Sequence, residues 1–235
     1  MPAEVEVNVD TNVLYNFLYS TVLPDRASKD PTYERDRGCK DYFEEDWVCV
    51  VVGGSAESEF RDGIDRREII YMDIANYLES TANGIATYDL RDRDVSFSNN
   101  DKRHLERDML QKVCIESSER QLSVTRECHQ ALGECARSIL IDEVDELKDA
   151  KEDDDLRGEF ESRLGIGYDC DILVDAVYIS LEDGVSVLAS CDSDLADKEH
   201  KQTISNIIDE MVDPIVKLTI VHPSDKPVNE LAETT

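Results

Sequence analysis

The chain has 235 residues, with 54 Asp and Glu against 25 Lys and Arg and a formal net charge of −29. That length can bury a full hydrophobic core, and no apolar run approaches the roughly 18–20 residues of a bilayer span. The start, Met1-Pro-Ala-Glu-Val-Glu-Val7, lacks the basic region and long apolar stretch of a signal peptide, so a soluble cytoplasmic protein without a membrane partner is expected.

The acids are spread over segments that also carry Ile, Leu and Val at structural spacing, which excludes a disordered acidic tail. A halophilic surface explains the charge: at about 1 M salt the Debye length is roughly 3 Å, and self-repulsion is screened. In such salt, acidity no longer argues against a nucleic-acid partner, which short-range contacts and metal bridges would hold. The seven cysteines form no CxxC pair and no Cys/His zinc spacing. Their odd number favours reduced thiols. Cys191 has no histidine near it in sequence to activate it, so a nucleophile is not expected there. The four histidines match no zinc or general-base pattern.

Glu4–Asp10 alternates and then turns apolar, which predicts a strand. A helix over about 13–19 follows, capped by Asp10 or Thr11. Residues 21–46, polar and with Pro24 and Pro31, read as a surface loop insertion. Trp47–Val52 is a second strand, closed by Gly53-Gly54, and a long helix begins near Ser55. Residues 83–100 read as a loop holding a short hairpin. A helical pattern runs from Asp101 to about Lys151 with a break near Ser117-Ser118, part of a helical expansion over 101–165. Asp153-Asp154-Asp155 reads as a solvated turn, Cys170–Leu181 as a helix and Val185–Ser190 as a short buried strand. A helix at 199–212, a strand at Ile215–Val221 and a frayed tail at 223–235 complete the chain. Strands separated by helices predict an α/β three-layer sandwich with a mainly parallel sheet, as one domain over 1–222.

Three acidic clusters stand out: Asp10-Thr11-Asn12, Asp169-Cys-Asp171 with Asp175 further on, and Ser190-Cys-Asp192-Ser-Asp194. The first and third end apolar, strand-like runs. In a parallel sheet, ligands collect beyond the carboxyl ends of the strands. Carboxylates delivered there from distant parts of the chain suit a hard cation such as Mg²⁺ or Mn²⁺. Taken singly, each motif is ordinary. Asp-Thr-Asn also suits a helix cap, and a lone Asp in so acidic a chain is most often surface decoration. Asp175 lies six residues past Asp169, roughly 240° around a helix, and reads as a bystander.

Val9-Asp10-Thr11-Asn12-Val13-Leu14 resembles the opening of a PIN domain, where a strand ends in Asp followed by Thr/Ser and Asn. Val187–Leu195 is similar to that family's late strand, ending in Ser190-x-Asp192-x-Asp194 and an apolar residue. Asp169-Cys-Asp-Ile172-Leu-Val-Asp-Ala176 is similar to its Asp-x-x-Ile-x-x-x-Ala helix start. The resemblance covers roughly residues 5–221. It implies a toxin-type, metal-dependent ribonuclease using Mg²⁺ or Mn²⁺, with RNA as substrate in preference to DNA. An antitoxin protein as partner and a homodimer are further implications.

The resemblance also implies the site residues. Asp10, Asp169 and Asp192 would act as catalytic metal ligands with a fourth acid from the helix after the second strand. Glu59, followed by the apolar Phe60, fits that position, and Glu57 is its alternate. Asp194 would bind through water. Asp171 could replace Asp169, since a helix start displaced by a residue or two would swap them. Thr11, Asn12 and Ser190 would orient the carboxylates. Arg61, Arg66, Arg67, Arg103, Arg107 and Arg126 are better read as surface ion pairs than as phosphate contacts. Two other readings are a weakly catalytic binding module for nucleic acid or protein, and a phosphotransfer or phosphatase domain. The last would want Asp-x-Asp at the first strand, where the chain has Asp10-Thr-Asn12.

Overall fold

The computed structural model describes residues 4–22, 31–81, 83–114, 116–165, 169–224 and 231, with backbone alone at 31–37, 107–108, 111–112 and 196. Five strands, β1 (Val5–Val9), β2 (Val48–Val52), β3 (Glu146–Leu147), β4 (Val187–Ala189) and β5 (Thr219–Val221), form one all-parallel sheet in the order β3-β2-β1-β4-β5. The helices are α1 (Thr11–Val22), α2 (Pro31–Glu44), α3 (Gly54–Ser80), α4 (Asn99–His104), α5 (Leu110–Cys114) and α6 (Ser118–Ser138). After them come α7 (Asp154–Leu164), α8 (Cys170–Asp183), α9 (Ser193–Ala196) and α10 (Lys198–Met211). Among the described residues no helix is long and apolar enough to cross a membrane.

Two compact units divide the chain, where one domain over 1–222 is the sequence expectation. The sheet unit comprises Met1–Phe17, Pro31–Phe60 and Ile141–Thr235, and the helical unit Leu18–Asp30 and Arg61–Leu140. The sheet unit is the expected α/β sandwich. Val50, Val51 and Val52 are consecutive and all buried, as are Val7, Asn8 and Val9 on the neighbouring strand. Burial on both sides of a strand requires helices on both faces of the sheet, the reason parallel strands read as near-continuous apolar runs. α8 supplies part of that cover, with Ile179 packed on Val51 and Val185. α7 lies against α8 and α10. α7 and α8 each stop at a glycine in the left-handed region, Gly165 (φ 71°) and Gly184 (φ 82°). The second of these turns the chain into β4.

The helical unit is organised around a buried carboxylate. Asp101 accepts from Arg66 Nε at 2.9 Å and Arg67 Nε at 3.0 Å, and Arg67 also donates to the Tyr19 hydroxyl. His104 stacks on Tyr19 with centroids 4.3 Å apart, and its Nε2 lies 2.5 Å from the Tyr71 hydroxyl. A buried charge persists only when paired, so Arg67 is an internal structural cation rather than a surface one. Arg126 does form a surface pair, with Glu79.

Four local expectations are corrected. Within 21–46, residues 23–30, with Pro24, lie outside the described residues, but Pro31 opens α2, where Cys39 and Tyr42 have no exposed surface. Proline at a first helical position needs no N–H partner, so it starts a helix as readily as it ends one. The hairpin expected in 83–100 is replaced by two 3₁₀ turns, Ile85–Thr87 and Leu90–Asp92, anchored by buried Ile85 and Leu90. Gln121 Oε1 accepts the Ile85 N–H at 2.9 Å. The helix expected through Lys151 ends earlier, and Glu146–Leu147 forms β3. Asp145 sets that edge. It donates its N–H to the Val50 carbonyl at 3.0 Å and accepts the Val50 N–H at 2.7 Å on its carboxylate. Asp153, read as part of a solvated turn, caps α7 by accepting the Leu156 N–H at 2.9 Å. The frayed tail expected over 223–235 lies outside the described residues apart from 223, 224 and 231.

Candidate functional site

The strand order places β1 beside β2 on one flank and β4 on the other, with Asn8 opposite Leu188 and Val9 opposite Ala189. The chain first builds outward to β2 and β3, then returns to build β4 and β5 on the other side. The reversal lies between β1 and β4, the place where a parallel sheet opens a crevice at its carboxyl end. Asp10 leaves β1 there and Ser190 leaves β4. The Asp10 N–H donates to the Ala189 carbonyl at 3.0 Å, and the Ser190 N–H to the Val221 carbonyl at 2.9 Å.

Asp10 is 2% exposed. Its Oδ1 accepts the Val13 N–H at 2.9 Å, a cap on the first turn of α1, and its Oδ2 accepts from the Ser190 hydroxyl. Burial pushes the Asp10 carboxyl up to about 7. The charges of Asp169 and Asp192 add to the rise, against the lowering by the Ser190 and Val13 hydrogen bonds. The Ser190 oxygen in turn accepts the Asp192 N–H at 3.0 Å, and Asp192 Oδ1 accepts the Asp194 N–H at 2.6 Å. Ser190 thereby couples the two strand-end acids.

Glu59 comes from the start of α3, and its Oε2 accepts from the Thr11 hydroxyl at 2.9 Å. Asp169 immediately precedes α8. A carboxylate in that position ordinarily caps the helix, but this one makes no capping hydrogen bond. It is raised to about 6, first by burial, then by the charges of Asp192 and Glu59, by a hydrogen bond with Asp192 and by the charge of Asp194. A hydrogen bond between two carboxyl groups requires a proton on one of them.

Asp10, Glu59, Asp169, Asp192 and Asp194 thus act on one another across four separated segments. The alternates stand apart. Asp171 pairs with Arg157 Nε at 2.7 Å on the surface. Glu57 is in the first turn of α3 but is not among the charges that chiefly move Asp10 or Asp169. Half-buried Asn12 makes no side-chain hydrogen bond among the described residues.

Asp175, read from sequence as a bystander, is instead a buried clamp. Its oxygens accept the Ser55 N–H at 2.8 Å and the Lys151 N–H at 2.7 Å, which ties α8 to the first turn of α3. A Cβ on Gly53 would lie 2.9 Å from the Asp175 side chain. The signal available in the sequence was the Gly53-Gly54 pair, which marks a close backbone approach.

The donor set is all oxygen, as a hard divalent cation prefers. Crowded carboxylates that hold protons above their ordinary range are the electrostatic condition such an ion relieves. Among the described residues no group of three or more His, Cys, Asp and Glu is set to hold a metal as it stands. Both oxygens of Asp10, and one each of Asp192 and Glu59, accept hydrogen bonds from protein donors. By donor chemistry alone the acids suit a divalent ion, but among the described residues they do not form a ligand group for one. No protein-family model, curated protein or solved structure matches the chain.

Proposed function

We propose that this protein is a PIN-like, Mg²⁺- or Mn²⁺-dependent nuclease that hydrolyses phosphodiester bonds, of RNA in preference to DNA. The observation that supports it is the mutual coupling of Asp10, Glu59, Asp169 and Asp192 at the point where the strand order reverses. In this reading Asp10, Asp169, Asp192 and Glu59 hold the ion, and Asp194 extends the set. A divalent ion supplies Lewis-acid activation of phosphodiester and water. The chain's own part is positional. Ser190 and the Val13 N–H fix the plane of Asp10, Thr11 fixes Glu59, and Asp169, raised by burial and by its acidic neighbours, gives up its proton when the ion binds. RNA would be the substrate, and for a toxin an antitoxin protein would be the partner.

The test is cleavage of single-stranded RNA in molar KCl with Mn²⁺. Asp10→Asn and Asp192→Asn each lower the rate at least 100-fold, whereas Asp171→Asn changes it less than threefold. Because metal ligation displaces protons, Mn²⁺ affinity rises between pH 5 and 8, in step with carboxyls titrating at about 6 and about 7. Equal cleavage by wild type and the Asp10 and Asp192 variants would discredit the assignment.

The rival reading is a binding module on the same fold. It draws support from the engagement of both Asp10 oxygens by protein donors. Calorimetric titration with Mn²⁺ separates the two: absence of binding across that pH range favours the module.

A further inference from the structure

Cys39 and Cys191 are 152 residues apart in the chain, and their sulfurs lie 3.1 Å from each other. Cys39 sits on α2 with no exposed surface, and its sulfur is also hydrogen-bonded by Asn16. Cys191 is half-buried and stands between Ser190 and Asp192. A disulfide needs a sulfur separation of about 2.05 Å, so an approach of about 1 Å would bring the pair to bonding distance.

We infer that Cys39 and Cys191 form a redox-modification site, oxidised by a peroxide to an intramolecular disulfide beside the acid cluster. Cys191 is the more accessible sulfur and reacts first. It attacks one peroxide oxygen and breaks the O–O bond, giving a sulfenic acid and one water. The Cys39 sulfur then attacks that sulfenyl sulfur. The S–O bond breaks, and the oxygen leaves as a second water carrying the Cys39 proton. Two thiols and one hydrogen peroxide give one disulfide and two waters. The sulfur pair loses two electrons and the peroxide gains them. A dithiol reductant reverses the change.

The consequence rests on the metal-site reading above. Ser190 holds Asp10 and the Asp192 N–H, so drawing Cys191 toward α2 displaces groups on both sides of it. The oxidised protein therefore binds Mn²⁺ more weakly.

The experiment treats the full chain in molar KCl with hydrogen peroxide, reads intact mass and peptide maps, and titrates each form with Mn²⁺ by calorimetry. The expected result is a loss of two hydrogen masses in most molecules, mapped to a 39–191 link and reversed by dithiothreitol. Oxidation lowers Mn²⁺ affinity at least fivefold in the wild type, and peroxide leaves the affinity of Cys191→Ala, which lacks the sulfur that reacts first, unchanged. Cys191 is half-buried, so its truncation is the milder of the two, and Cys191→Ala also loses the link. Cys49, Cys114, Cys128, Cys135 and Cys170 are in no disulfide either, so a link mapped to any of them in place of 39–191 overturns the inference. A 39–191 link with unchanged affinity overturns the regulatory consequence. If neither form binds Mn²⁺, the metal reading fails, while the mass result still decides the disulfide.

Discussion

Asp10 is held by two demands that oppose each other. Folding removes its carboxyl from water and sets it near Asp169 and Asp192, yet a metal site needs it ionised. Its folded-state value of about 7 lies above the ordinary 3.8, so between those values the folded chain binds more protons than the unfolded one. Stability without metal therefore falls as pH rises from about 4 to about 7. Asn at this position keeps an acceptor for the Val13 N–H and carries no charge. At roughly 1.4 kcal/mol per pKa unit, less relaxation, Asp10→Asn should gain about 1–3 kcal/mol at pH 8. It should also flatten the decline between pH 4 and 7 and lose stabilisation by Mn²⁺. Urea unfolding across pH in molar KCl measures all three. An undiminished pH slope in the variant would count against a proton held at Asp10.

The start of α3 depends on α8 through Asp175. Truncation to alanine leaves the Ser55 and Lys151 N–H groups without their acceptor. With a penalty of about 1–3 kcal/mol for each buried unsatisfied group, Asp175→Ala should cost about 3 kcal/mol or more. Glu59 is carried by the same first turns of α3, so Mn²⁺ affinity should drop as well, although Asp175 touches no ion in this scheme. Asp171→Ala, four positions earlier on the same helix, removes a half-exposed pair with Arg157 and should cost less than about 1 kcal/mol. Chemical denaturation of the two variants side by side distinguishes a clamp from a surface charge. Similar losses in both would remove the clamp from the account.

The whole molecule carries −29 on 235 residues, with 25 cationic side chains to offset 54 acids. Repulsion summed over such a surface opposes compaction and is screened by added salt. Thermal stability should climb steeply between about 0.1 and 1 M KCl and flatten above that, as the Debye length falls from roughly 10 to 3 Å. Sucrose at matched osmolality should not reproduce the climb. A melting temperature independent of KCl over that range would refute a surface adapted to salt. Where the acids cluster at the sheet's carboxyl end, a bound divalent ion should add stabilisation that monovalent salt does not supply.

The α/β class, the apolar strands near 5–9, 48–52 and 187–189, and acids at the ends of the first and fourth strands were determined by sequence alone. Each is written in a few consecutive residues: apolar runs closed by Asp10 or by Ser190-Cys-Asp192. Even the break before α6 was legible, at Ser117. Tertiary structure alone decided the strand order, the two-residue edge strand β3, the helix in 31–44 and the choice of Asp169 over Asp171 as the acid that meets Asp192. It also decided that Asp175 clamps two segments and that Cys39 meets Cys191. These depend on which distant segments share an edge or a face. Local periodicity sets how a residue points from its own element, and chain packing decides what it points toward.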